Sequence, residues 1–317
     1  MALQPWLQET AQHWLSAIEE ETIGHSLILH SEVELGAEAM IELWAGSLLC
    51  PHPGHACGFC HSCQLLDSGN HPDYHHIQPD KPGGNITVDQ IRQGLKQAQE
   101  SSQLGGNRVF VITPAEQMNT AAANALLKTL EEPSQSSFFL LVCQSPKRLL
   151  ATIRSRCQLW SLPCPSPSQA LEWLAEQGHK DVPAYVMTLA QGSPMAAKQW
   201  LDDKQFAEFE IGQSLLVNTM TRSDSDPIDA VSWLEKNPQR HGQWWWFLLS
   251  DAQKVRFGQV GDFDEISRRL AHCDYDVLYR QSQALARLLS QLQAQPGLNT
   301  SLLFYNWLIE TREHLCL

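Results

Sequence analysis

Four cysteines, Cys50, Cys57, Cys60 and Cys63, stand in the spacing C-x6-C-x2-C-x2-C. Thiolates separated by two residues reach one ion together, because a tight turn brings their sulfurs to the same side. Four sulfurs fill the tetrahedral shell that zinc prefers, and a closed four-sulfur shell is structural rather than catalytic. The spacing therefore predicts a zinc knuckle over residues 50–63 and places the chemistry elsewhere. The competing reading is a set of buried or redox-active free thiols. His52, His55 and His61 lie among the cysteines, so one histidine-for-cysteine exchange in the shell stays open.

A chain of 317 residues has room for two or three domains, each with its own core. With 43% hydrophobic and 18% charged residues it is globular rather than disordered. The other cysteines, Cys143, Cys157, Cys164, Cys273 and Cys316, are scattered, which fits a reducing compartment better than a disulfide framework. No apolar run reaches membrane-spanning length, and "MALQPWLQET" lacks a basic region followed by an apolar stretch. The expectation is a cytoplasmic protein without a membrane partner. A net charge of -13 makes it a poor candidate for gripping DNA alone, though not for a place in a complex that does.

The first half alternates strand and helix. "SLILH" at Ser26–His30, "VFVIT" at Val109–Thr113 and "SFFLLV" at Ser137–Val142 are short apolar runs of the kind found in buried strands. Between the last two, Ala123, Leu126, Leu127 and Leu130 share one helical face, with Asn119 or Thr120 to cap its start and Pro133 to stop it. Ser145-Pro146 reads as a helix start for "PKRLLATI", and "CQLWSL" from Cys157 as a further strand. Core strands joined by helices predict a parallel sheet covered on both faces. Pro163, Pro165 and Pro167 mark a boundary, and a short helical stretch runs from there to about residue 204. The remainder reads as helical. It carries a stripe of Leu285, Leu288, Leu289 and Leu292, a final helix with Leu302, Leu303 and Leu308, and Trp244, Trp245 and Trp246, which suit a core or a subunit interface.

A nucleotide-binding sheet cradles phosphate in the loop between a strand and the next helix. That loop needs glycines so that backbone N–H groups converge, a lysine for the phosphates and a hydroxyl for magnesium. Here the loop after "SLILH" is "SEVELGAEAM", with one glycine, Gly36, no lysine, and Glu32, Glu34 and Glu38 where phosphate would sit. An acidic pair at the end of a later strand is the second requirement. After "VFVIT" the chain continues Pro114, Ala115, Glu116, which leaves one carboxylate. No functional ATP site is expected.

The strings "GNHPDYHHIQPDK", "ANALLKTLEEPS", "LLATIRSRC" and "GLNTSLLFYNWLI" resemble the delta-prime subunits of the bacterial DNA polymerase III clamp loader, over essentially the whole chain and most specifically in residues 48–160. The resemblance implies an AAA+ α/β domain of P-loop type, a parallel sheet flanked by helices with an inserted zinc knuckle, over residues 1–162. It implies a small helical lid over 163–204 and an all-α collar domain over 205–317. The family's collar joins delta and gamma or tau subunits in a hetero-pentamer that places the sliding clamp on primed DNA. Delta-prime does not hydrolyse ATP, in keeping with the degraded loop, and the arginine of its "SRC" string, here Arg156, acts as an arginine finger on the ATP of a neighbouring gamma or tau subunit.

Arg156 also falls at a helix-to-strand corner, where a side chain projects from the domain rim, and a planar guanidinium can pair with phosphate oxygens as charge moves. An ordinary surface or intrachain ion pair is the alternative for it. Arg154 is read as solvated. Lys128, Glu131 and Glu132 suit either a partner contact or the polar side of their helix. Lys147 and Arg148 add positive charge near Arg156, and His71, His75 and His76 are read as structural. Two other functions compete. An active AAA+ ATPase of gamma or tau type needs a lysine that "SEVELGAEAM" lacks. A DNA reader built on the knuckle needs basic residues that "CPHPGHACGFCHSC" lacks.

Overall fold

The computed structural model describes residues 3–314 except 33, 53, 82, 204, 222–225, 260–262 and 296. The chain divides into two compact units, 1–173 and 174–317.

The first unit is built on five parallel strands: β1 (Ser26–His30), β2 (Tyr74–Ile77), β3 (Arg108–Ile112), β4 (Ser137–Cys143) and β5 (Gln158–Ser161), in the order β2-β3-β4-β1-β5. The three central strands are near-continuous apolar runs because helices cover both faces of the sheet, and every residue of β3 and β4 is buried. Phe110 and Phe139 stack across β3 and β4 at 5.0 Å between ring centroids. The helices are α1 (Gln8–Glu19), α2 (Ala37–Leu49), α3 (His61–Asp67), α4 (Val88–Gln99), α5 (Thr120–Glu131) and the single turn α6 (Ala151–Arg154). Asn119 caps α5 by accepting the Ala122 N–H at 2.8 Å, and Ala123, Leu126 and Leu130 turn into the core.

Two elements depart from the sequence reading. Strand β2 lies in the histidine-bearing segment "YHHI" and is held at the sheet edge by its pairing with β3. The stretch "PKRLLATI" is two pieces, a 3-10 turn at Pro146–Arg148 and α6. Ser145 makes no side-chain cap, and Leu149 and Leu150 are extended, which turns Leu149 into the core instead of continuing the helix.

The second unit is all helical: α8 (Ala184–Leu189), α9 (Pro194–Asp202), α10 (Gln205–Thr221), α11 (Ile228–Lys236), α12 (Pro238–Arg256), α13 (Glu265–Leu270), α14 (Tyr275–Ala294) and α15 (Thr300–His314), with the division from the first unit falling inside α7 (Pro167–Glu176). Trp233, Trp244 and Trp245 are buried in its core, together with Leu285, Leu288 and Leu308, whereas Leu302 is exposed. The backbone of α10 comes close to α11 at Gly212. A methyl there would meet the Trp233 ring at 2.3 Å, and the Gly212 carbonyl accepts the Trp245 indole N–H at 3.0 Å. Among the described residues no helix is long and apolar enough to cross a membrane. Cys316 lies outside the described residues.

Candidate metal centre and arginine corner

The four cysteines follow α2 directly. Cys50 is the C-cap of α2 and Cys60 the N-cap of α3, so two helix ends fix half of the set. The Sγ atoms of Cys50 and Cys60 are 3.9 Å apart, as are those of Cys57 and Cys63, and all four lie within 4.8 Å of one another. A tetrahedron of sulfurs at the zinc–thiolate bond length has edges of roughly 3.8 Å. The geometry therefore fits a four-thiolate ion. Among the described residues no histidine belongs to the set. His52 instead packs against Phe59, whose ring is 70% exposed at the tip of the knuckle.

Backbone amides are aimed at the sulfurs. Cys60 N–H donates to Cys57 Sγ at 3.4 Å and Cys63 N–H to Cys60 Sγ at 3.5 Å. At Cys57 burial raises the thiol pKa, but the amides of Phe59 and Cys60 outweigh it and bring the value down to about 6. Cys63 is pushed up to about 12, first by burial and then by its sulfur neighbours, against the Gly58 amide. Each thiolate formed in so small a space makes the next proton harder to lose, and a bound dication removes that penalty.

The knuckle is anchored to the sheet by polar side chains that the spacing argument does not reach. Ser62 Oγ donates to the Leu49 carbonyl at 2.8 Å and lies 2.8 Å from His71 Nε2. His71 Nδ1 accepts the Asp73 N–H at 3.1 Å, so the ring proton sits on Nε2 and points at Ser62. Burial holds His71 below the usual imidazole range, as this neutral tautomer requires. The Asp73 carboxylate accepts from Ser102 Oγ and from the amides of Gln103 and Leu104 at 2.9–3.1 Å. Burial alone would raise its pKa, but these donors lower it.

At the other end of α2, residues from the start of the chain pack against the loop after β1. The indole N–H of Trp6 donates to the Leu35 carbonyl at 3.0 Å, and Leu35 is buried. A methyl on Gly36, whose φ is +92°, would meet Gln4 Oε1 at 2.5 Å and Leu7 at 3.0 Å. Glu32, Glu34 and Glu38 are exposed around it. Beyond β3, Glu116 is tied to the end of β4, accepting the Gln144 N–H at 2.9 Å, and its second carboxylate oxygen is buried without a partner among the described residues.

Arg156 stands in the turn between α6 and β5. Its Nε donates to Glu131 Oε1 at 2.6 Å, its Nη2 donates to the same oxygen, and its Nη1 donates to the Thr152 carbonyl at 2.8 Å and to Ser155 Oγ at 3.3 Å. The Arg156 side chain is 30% exposed and that of Glu131 46%, and with Leu130 and Ser155 they line an open hollow of about 400 Å³. Arg154, Lys147, Arg148 and Lys128 are all exposed.

The family model of the DNA polymerase III delta subunit matches residues 6–166, and the model of that protein's C-terminal region matches residues 212–313. Those two matches take in the five-stranded parallel sheet, the four-cysteine knuckle between its first two strands and most of the helical unit that follows, and they place the chain among the DNA polymerase III delta-type subunits. The chain is 35% identical to DNA polymerase III subunit delta' of Yersinia pestis, over 93% of this chain and 94% of that one. To subunit delta' of Escherichia coli K12 it is 32% identical, over 99% and 97%. The chain belongs to the delta' family of DNA polymerase III. Among solved structures, a gamma subunit-related protein of Thermotoga maritima is similar over 96% of this chain and 98% of its own, at 18% identity and a TM-score of 0.48.

Proposed function

We propose that the chain is a non-hydrolysing clamp-loader subunit that acts on a neighbour's ATP rather than on its own. It joins delta and gamma or tau subunits in a hetero-pentamer and helps to place the sliding clamp on primed DNA in the cytoplasm. Residues 163–204 serve as a small helical lid and residues 205–317 as the collar through which the subunits associate. Cys50, Cys57, Cys60 and Cys63 hold one structural zinc, which fixes the knuckle and takes no part in phosphoryl transfer.

The observation that carries this reading is the closed loop after β1. Phosphate loops work by presenting free backbone N–H groups at a helix N-terminus. Here Gln4 and Leu7 pack against Gly36, Trp6 holds the Leu35 carbonyl, and the same segment carries three exposed glutamates, Glu32, Glu34 and Glu38. The chain's contribution to hydrolysis is then left to Arg156, at an exposed corner of the same domain. Supplied across a subunit boundary, its guanidinium stabilises charge on the transferred phosphoryl group.

Rings reconstituted with Arg156→Ala test this. Assembly is expected to be intact, since the residue lies at a rim. Clamp- and DNA-stimulated hydrolysis falls in part, because one site of several loses its finger, and clamp loading falls further, because it needs the sites to act together. Fingers supplied in trans contribute about 10³–10⁵ in rate at a single site. Arg156→Lys rescues poorly, an ammonium being unable to make the paired contact. Unchanged hydrolysis and loading, with assembly confirmed, return Arg156 to an ordinary ion-pair residue.

A further inference from the structure

We propose that Glu131 is the resting seat of Arg156: it holds the guanidinium on its own subunit and must release it before the residue can reach a neighbour's triphosphate. This inference rests on the arginine-finger reading.

The hydrogen-bond inventory carries it. An arginine has five N–H donors. Four bonds from Arg156 are made inside the chain, two of them to Glu131 Oε1 and two to Thr152 and Ser155 at the end of α6. A guanidinium so engaged cannot also present a two-pronged face to phosphate. The α6 contacts come from residues next to Arg156 in the chain and travel with the corner. Glu131 is different: it lies 25 residues away at the last turn of α5, and it alone supplies a negative charge to the guanidinium among the described residues. Engagement therefore exchanges one carboxylate for phosphate oxygens.

The exchange is cheap. The Arg156 side chain is close to a third exposed and that of Glu131 nearly half, and ion pairs in such positions contribute little net stability. A triphosphate with its magnesium offers a denser field than one carboxylate, so a properly placed neighbour wins the guanidinium while a displaced one does not. The open hollow beside the pair leaves an approach for another group. Glu131 is thus a positioning residue. It keeps Arg156 ordered at the rim and sets a threshold for its transfer.

The test measures the affinity of this chain for the neighbouring gamma subunit, with and without a slowly hydrolysed ATP analogue and magnesium. The ratio of the two affinities isolates the nucleotide-dependent part, which general damage to the fold does not move. Glu131→Gln keeps the shape and removes the charge, and should raise that ratio about 1.5- to 5-fold, the equivalent of a partly exposed ion pair. Glu131→Asp, still charged but one methylene shorter, should fall between Gln and wild type. In an Arg156→Ala background Glu131→Gln should change nothing. A wild-type or lowered ratio for Glu131→Gln overturns the proposal, as does an equal change without Arg156. If rings with Arg156→Ala hydrolyse ATP and load the clamp at wild-type rates, the finger reading itself fails; if those rates fall while Glu131→Gln does not raise the ratio, only the seat is refuted.

Discussion

The two ends of α2 have had opposite fates. At its C-terminal end, Cys50 begins a four-sulfur cluster whose dimensions suit a tetrahedral ion. At its N-terminal end, Gly36 opens the helix in the position of a phosphate loop, yet Gln4 and Leu7 crowd it and the Leu35 carbonyl is bonded to Trp6. The metal end depends on side chains, so it persists as long as four cysteines keep their spacing. A phosphate end would depend on free backbone N–H groups and open space, and here the chain's own residues pack against Gly36.

The largest effect should come from the metal end. Purified without added metal, the protein should carry one zinc by elemental analysis. Stripping it, or replacing Cys60 by Ser, should destabilise the first unit by roughly 3–5 kcal/mol and lower its melting temperature by about 10 °C, sparing the second unit. A metal-free preparation that melts at the same temperature would break the comparison at its stronger side.

The Asp73 carboxylate ties the start of β2 to the loop at residues 102–104, and Asp73→Asn should cost about 1.5–3 kcal/mol at neutral pH, read from urea denaturation. Its carboxyl is held below the ordinary value in the folded chain, so its contribution is fully present above about pH 4. That contribution is lost as the pH falls through the folded-state value, and wild type and variant should converge in acid. A gap that persists undiminished there would show that the loss was one of packing.

A smaller effect is expected at the phosphate end. Trp6→Phe leaves the Leu35 carbonyl without its indole donor and should cost about 1–2 kcal/mol, again by urea denaturation. It should not create a nucleotide site, because Gln4 and Leu7 stay in place. The smallest effect of all should be that of exchanging Glu32, Glu34 and Glu38 together for Gln. Charge repulsion is then gone but the space is still filled, and ATP binding measured by dialysis should remain absent.

The same contrast explains what is legible in the sequence. The knuckle can be read residue by residue, because its ligands are side chains within one short stretch. β1 and β4 are legible as apolar runs, since a strand buried on both faces admits little else. β2 is not: Tyr74, His75 and His76 are not a strand pattern, and what makes them a strand is pairing with β3 and the stacking of His75 on Phe110 at 4.7 Å. Helix α4 carries both signals locally, an apolar stripe of Val88, Ile91, Leu95 and Ala98 and a capping box of Thr87 and Gln90 at its start. Residues that act at a distance are also out of reach. Trp6 closes a loop 29 positions away, Glu131 holds an arginine 25 positions away, and no local pattern joins either pair.

Equilibrium dialysis of the isolated chain against millimolar Mg-ATP, on a preparation whose zinc content has been measured, tests the central claim most directly. The account predicts one zinc per chain and no saturable nucleotide. Saturable binding in the micromolar range would contradict it, and would mean that the end of α2 closed by Gln4, Trp6 and Leu7 still holds phosphate.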